Sequence, residues 1–130
     1  MRLEQQFAST IFKQVSEYKE DADKKEHKKQ YGSMAYTLPI LVRSAGLAQA
    51  LAFVASKKND AYTNLLNHLA NVVMDENATG EHYLKRSREA DLQEYMYLTR
   101  RTMLALKWYK RFAESVLDIK STDPMDDGGA

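Results

Sequence analysis

Apolar side chains in this chain return every three or four residues and nowhere every two. Leu3, Phe7, Ile11, Val15, Tyr18 and Ala22 follow one another at steps of four, four, four, three and four, close to the 3.6-residue turn of an α-helix. Tyr62, Leu65, Leu66, Leu69, Val72 and Val73 repeat the pattern between Ala61 and Asp75. No stretch alternates apolar and polar residues long enough for a strand. The sole Asp-Gly pair, Asp127-Gly128, stands near the end of the chain and not between β-branched runs. A chain patterned in this way buries its apolar stripes by packing helix on helix. With 44% apolar residues, 28% charged residues, and Gly and Pro at only 7 of 130 positions, there is material for one core and length for one domain. No internal repeat is present. The fold class is all-α: a single-domain bundle of five or six helices with a long C-terminal helix.

The first segment is predicted from Arg2 to Lys25, with Glu20–Lys24 and Asp21–Lys25 pairs in the favourable acid-first order. The second, Lys28 to Ser44, contains Pro39, which lacks an N–H and is expected to kink or restart the helix. Gly46 reads as a break, followed by a short, almost wholly apolar helix from Leu47 to Lys57. Asn59 or Asp60 is the candidate N-cap of the helix running to Asp75. A loop over Asn77 to Gly80 and a short helix over Glu81 to Arg88 precede the final helix, Ala90 to Leu117. At 28 residues that helix would span roughly 42 Å. Residues 1–117 are thus expected to form the bundle domain. Residues 118–130, with Pro124, two Gly and four Asp, form an acidic tail expected to be disordered.

Most chemistry is hard to place on these residues. Without Cys there is neither a disulfide framework nor a thiolate metal site. No Glu has a His three residues later, so the Glu-x-x-His pairs of a di-iron bundle are missing. Asp23 and His27 share a helix face at i,i+4, but the Lys-rich surroundings offer no supporting ligands. His68 reads as a satisfied histidine near the core, and His82 has no Ser, Cys or second His at meaningful spacing. Neither G-x-x-x-x-G-K nor G-x-G-x-x-G occurs. No catalytic residue, metal or cofactor is expected. A metal-free ribonuclease using His27, His68 and His82 stays open as an alternative, because three histidines distant in sequence can converge in space. The N-terminal residues lack the apolar run of a signal peptide. The most apolar stretch, Gly46 to Ala55, is about half a membrane span and is interrupted by Gln49. A cytoplasmic protein with no membrane partner is expected, and the sequon Asn77-Ala78-Thr79 is then a chance match.

Net charge is only +1, yet its distribution is uneven. Residues 1–117 hold 18 Lys/Arg against 14 Asp/Glu, a surplus of four; residues 118–130 hold one Lys against four Asp. A pair of clusters stands out among the cations of residues 1–117. Lys24, Lys25, Lys28 and Lys29 place like charges at i,i+4, which costs helix stability, so helix formation alone does not explain them. On the final helix Arg100, Lys107 and Arg111 fall within about 40° of one another, on a polar stripe shared with Glu89, Gln93, Glu114 and Asp118. The rest of that helix is apolar, with Leu98, Leu106, Trp108, Tyr109 and Phe112 among others, so it is either central or carries a partner's surface. Arg101 projects into the apolar arc near Trp108 and Phe112 and is expected to snorkel outward or to pair with an acid or a phosphate. Lys110 adjoins the stripe, and local pairing of Lys110 or Arg111 with Glu114 would make it an ordinary solvated face. With Arg43, Lys57, Lys58, Lys85, Arg86 and Arg88 added, the cations can form a phosphate track without sequence preference. Neither cluster is interleaved with aromatic residues for base stacking.

Two stretches carry a family resemblance. One is Tyr31-Gly32-Ser33, then Leu38-Pro39, then Arg43-Ser44-Ala45-Gly46-Leu47-Ala48-Gln49-Ala50-Leu51-Ala52-Phe53; the other is Tyr95, Leu98-Thr99-Arg100, Leu106, Trp108 and Lys110-Arg111-Phe112-Ala113. In this order, about 40 residues apart, they resemble the small helical subunit of the Cmr (type III-B) CRISPR RNA-targeting effector complex, over roughly residues 3–117. The resemblance implies a non-catalytic subunit whose copies stack in a minor filament beside the subunits holding the CRISPR RNA. Its partners would be other Cmr subunits, copies of itself, the CRISPR RNA and the target RNA. Arg43, Gln49, Arg100 and Arg111 then become groove or interface residues. Lys24, Lys25, Lys28, Lys29, Arg101, Lys107 and Lys110 join them as candidates from the charge pattern. The alternative from another class is a helical adaptor that binds proteins and never touches RNA.

Overall fold

In a computed structural model of the chain, which describes residues 2–21 and 25–120, six helices account for nearly all of the backbone. They are α1 (Leu3–Asp21), α2 (Lys25–Ala45), α3 (Leu47–Ser56), α4 (Asp60–Val73), α5 (Gly80–Glu89) and α6 (Leu92–Ser115). Among the described residues there is no strand. The bundle is built around α6, which packs against α1, α2 and α4; α4 in turn packs on α2 and α5, and α3 bridges α2, α4 and α5. Of the two roles open to so apolar a helix, the central one is seen.

Local chemistry sets the helix ends. Gly46 separates α2 from α3 at φ 88°, a conformation a side chain disfavours. It offers no cap, and the phenolic oxygen of Tyr95 on α6 instead accepts the orphan N–H of Ala48 at 3.0 Å. Asn59 caps α4 by accepting from the Tyr62 N–H at 3.1 Å. Thr79 opens α5 with a capping box in which His82 takes the place usually held by Glu or Gln: Nδ1 of His82 accepts the Thr79 N–H. Asp91 caps α6 through the Glu94 N–H at 2.9 Å.

Two expectations need correction here. Pro39 does not restart its helix: α2 runs unbroken through it. Pro39 is buried beside Leu38, and burial of its ring helps offset the one missing backbone bond. The packed body also continues beyond Leu117. Asp118 turns the chain at φ 59°, the Ile119 N–H bonds to the Ala113 carbonyl at 2.9 Å, and the Ile119 side chain is buried against Gly32. A Cβ on Gly32 would sit 2.9 Å from Ile119, so the glycine makes room for this closure. The rest of the acidic tail, residues 121–130, lies outside the described residues. The final helix is four residues shorter than periodicity suggests, starting at its Asp91 cap.

The core holds four fully buried tyrosines, Tyr31, Tyr62, Tyr83 and Tyr109. Burying a phenol without a partner is costly, and Tyr31, Tyr83 and Tyr109 each have one. Tyr83 bonds Thr102, Tyr109 donates to the side chain of Gln14, and Tyr31 meets Nδ1 of His68 at 2.7 Å. Tyr18 stacks on Tyr31 with ring centroids 4.4 Å apart. The Gln14 amide also donates to the His68 carbonyl at 3.1 Å, so α1, α2, α4 and α6 are joined by one polar chain through the core.

Candidate nucleic-acid interface

Between α2 and α6 lies an open groove of about 730 Å³. Its walls come from two helical stripes. On α2, Tyr36, Pro39 and Arg43 recur at steps of three and four; on α6, the other wall is Met103, Lys107, Lys110, Arg111, Glu114 and Ser115. Four cations therefore face a shared space with one carboxylate, over a floor of Tyr36, Pro39 and Met103. Cations distant in sequence meet here because α2 and α6 pack side by side. Nothing local requires the cluster. Among the described residues no ion pair joins Lys110 or Arg111 to Glu114, so the local neutralisation that would reduce the stripe to an ordinary solvated face is not seen. Lys107 does reach a carboxylate, Glu4 of α1, at 2.7 Å. That pair is exposed, the kind that exchanges readily with other ions in water. Lys107 holds the Glu4 carboxyl below its usual range, first through the hydrogen bond and then through its charge.

The other candidates lie elsewhere. Arg100 is exposed on the same stripe of α6, about 10 Å beyond Lys107 along the axis. Gln49 is exposed on α3. Lys25, Lys28 and Lys29 begin α2, and Lys28 lies roughly 22 Å along the helix axis from Arg43. They do not continue the groove's rim, and as cations at a helix N-terminus they oppose its dipole. Lys24 lies outside the described residues. Arg101 has contacts of its own within the fold. Its Nε donates to the Val73 carbonyl at 3.0 Å, and its guanidinium lies over the rings of Phe7 (5.0 Å) and Tyr97 (5.2 Å). It thus ties α6 to the C-terminal end of α4, where a helix dipole favours a cation.

The groove residues that the sequence reading did not assign to a site are Tyr36, Pro39, Met103 and Ser115. Their signal was there: Pro39 lies four before Arg43, and Met103 four before Lys107, so each shares a face with a candidate cation. What periodicity could not supply is that the two faces oppose one another.

The histidines do not gather. His68 is largely buried, and burial lowers its pKa to about 4. Burial also pushes the Tyr31 phenol well above its ordinary range, so Tyr31 keeps its proton and shares a hydrogen bond with Nδ1 of a neutral His68. His82 is engaged in the α5 cap and lines a separate cleft with Lys85, Arg86 and Glu89, which includes neither His27 nor His68. Among the described residues no group of His, Asp and Glu is placed to hold a metal, and no helix is long and apolar enough to cross a membrane.

Comparison with known proteins agrees with the resemblance. The family model of the CRISPR-associated protein Cas_Cmr5 matches residues 3–116. The chain belongs to this family. The CRISPR system Cmr subunit Cmr5 of Thermus thermophilus is 42% identical over 98 residues, covering 75% of this chain and 84% of that protein. The X-ray crystal structure of a CRISPR-associated Cmr5 family protein from Thermus thermophilus superposes with a TM-score of 0.78 at 37% identity, over 89% of this chain and 97% of that one. The all-helical fold with its long final helix is therefore that of the Cmr5 family.

Proposed function

We propose that this chain is a structural, non-catalytic subunit of a Cmr-type CRISPR effector complex, and that its α2–α6 groove holds the sugar-phosphate backbone of RNA. The observation that carries the RNA half is the meeting of Arg43, Lys107, Lys110 and Arg111 in one groove with a single carboxylate among them. Opposed cations spaced along two helices suit a polyanion better than a small anion, and the apolar floor of Tyr36, Pro39 and Met103 accepts a sugar or a base edge. Guanidinium and ammonium groups read phosphate without reading sequence, as a subunit serving many guides would need. Other subunits of the complex are the protein partners, in line with the name of the Thermus relative. Copies of the chain stack through exposed apolar residues, of which Leu92 (74% exposed), Met96 and Tyr97 form one patch at the start of α6. One isolated copy binds RNA weakly, and stacked copies add avidity.

The test is the salt dependence of RNA binding by the full chain, followed by fluorescence anisotropy of a labelled single-stranded RNA. The variant Arg43→Glu/Lys107→Glu/Lys110→Glu/Arg111→Glu should bind more weakly, with a log–log salt slope shallower by up to about 3, since each phosphate contact contributes about 0.7–0.9. A folded variant with an unchanged slope would refute the groove as the RNA site and leave the protein-binding adaptor standing.

A further inference from the structure

Cations alone would accept any polyanion, so the other groove residues decide which one is selected. Tyr36 is the aromatic residue among them. Neither cation cluster is interleaved with aromatics in sequence, yet the fold sets this ring from α2 beside the cations of α6. Tyr36 lies two turns, or about 10 Å, before Arg43 on the same face of α2. It is half-buried, and its polar end is engaged: the hydroxyl donates to the Ile119 carbonyl at 3.1 Å. What Tyr36 presents to a ligand is therefore its ring and not its phenol.

The acceptor is itself held from several sides. The chain turns at Asp118 with φ 59°, and the Ile119 N–H bonds the Ala113 carbonyl at 2.9 Å. The Ile119 side chain packs on Gly32 so closely that a Cβ there would meet it at 2.9 Å. Ala113 belongs to α6 and Gly32 to α2, the two helices that wall the groove. Ile119 thus fastens the Tyr36 ring to both walls before any ligand arrives, and a ring already fixed loses little freedom on binding.

Paired bases in an RNA duplex stack on one another, whereas an unpaired base has a face to offer. Such faces stack on aromatic rings whatever the sequence, while the neighbouring phosphates pair with cations. Arg43, Lys107, Lys110 and Arg111 around a fixed ring suit a strand that presents both. We propose that Tyr36 is the base-stacking residue of the groove, positioned by Ile119, and that the groove selects RNA with an unpaired base at this point. The proposal rests on the groove being the RNA site and adds what that site selects. Ile119 touches no RNA in this arrangement and acts as a positioning residue.

Fluorescence anisotropy on the full chain tests it, with labelled single-stranded oligouridine and with the blunt duplex that oligouridine forms with oligoadenylate. Wild type should favour the single strand. Tyr36→Leu keeps an apolar side chain in the floor but no ring, and should bind the single strand about five- to hundredfold more weakly. Its salt slope should match wild type, because stacking releases no counterions, and its duplex affinity should not change. Ile119→Ala keeps the ring and removes its support, so it should weaken single-strand binding in the same selective way by a smaller factor. A folded Tyr36→Leu with wild-type affinity for oligouridine would overturn the stacking role and leave the phosphate contacts standing. Equal losses for single strand and duplex, in either variant, would overturn it as well, since they report a distorted groove. Wild-type affinity in Ile119→Ala would overturn the positioning. Should the quadruple groove variant keep wild-type affinity and salt slope, the RNA reading and the stacking role fall together.

Discussion

On its inward side α6 closes Arg101, Thr102 and Tyr109 onto partners, whereas on its outward side it leaves charges open. Inward, Tyr109 donates to Gln14, Thr102 meets Tyr83, and Arg101 is held by the Val73 carbonyl and two aromatic rings. Outward, among the described residues, Lys107 is the groove cation with a carboxylate partner, and that pair is exposed. Arg101 and Lys107 stand six residues apart on one helix, yet one fastens the bundle and the other faces a groove. Stability accounts for the inward set, because an unpaired polar atom there costs a kilocalorie or more. It does not account for four cations sharing the groove with one carboxylate, which raises the electrostatic energy of the free protein. The difference separates what the fold needs from what a ligand needs.

The sharpest way to break this division is to cut each side in turn. Leu106→Ala, on the inward face beside Lys107, should destabilise the protein by about 2–5 kcal/mol in urea unfolding, since Leu106 is fully buried. RNA affinity of the folded fraction should not change. Acidification attacks the same side through His68. Its pKa is lowered to about 4 in the folded protein, against 6.5 when exposed, so the unfolded chain binds a proton that the folded one refuses. Stability should be full above pH 6.5, fall as pH drops through the interval to about 4, and lose on the order of 3 kcal/mol across it. His68→Gln should flatten that segment of the curve, and a profile as steep as wild type would show that other groups dominate.

Smaller effects sharpen the contrast between cations. Arg101→Ala should cost about 1–3 kcal/mol in the same unfolding assay, for a lost hydrogen bond and two cation–π contacts. Arg43→Ala, Lys110→Ala and Arg111→Ala should each stay within about 0.5 kcal/mol of wild type, because they lie on the surface away from the core network. If a groove cation proved as costly to remove as Arg101, it would be structural and the division would fail.

Much of the architecture could be read before the structure was known, because helix breaks and caps are local chemistry. Gly46, the Asn59 cap and the polar stripe through Arg100, Lys107 and Arg111 needed no knowledge of neighbours. What resisted reading was set by tertiary contacts. Pro39 was expected to kink or restart its helix, and α2 continues through it with the ring buried. Arg101 in its apolar arc was expected to snorkel outward or to pair with an acid or a phosphate, and the carbonyl it bonds lay 28 residues away at the end of α4. The acidic charge of residues 118–130 obscured one apolar residue, Ile119, which closes the bundle over Gly32. The groove itself was half readable: the α6 stripe was evident, but that Arg43 and Tyr36 face it depends on how α2 lies against α6. The lysines at the start of α2, equally prominent in sequence, lie too far along the helix to join it.

The most direct test of the groove is photochemical crosslinking of RNA to this subunit within the purified effector complex, with adducts mapped to individual residues. Adducts should concentrate between Tyr36 and Arg43 on α2 and between Met103 and Arg111 on α6. An RNA-loaded complex whose adducts on this chain fell elsewhere, with the groove left unmarked, would contradict the assignment.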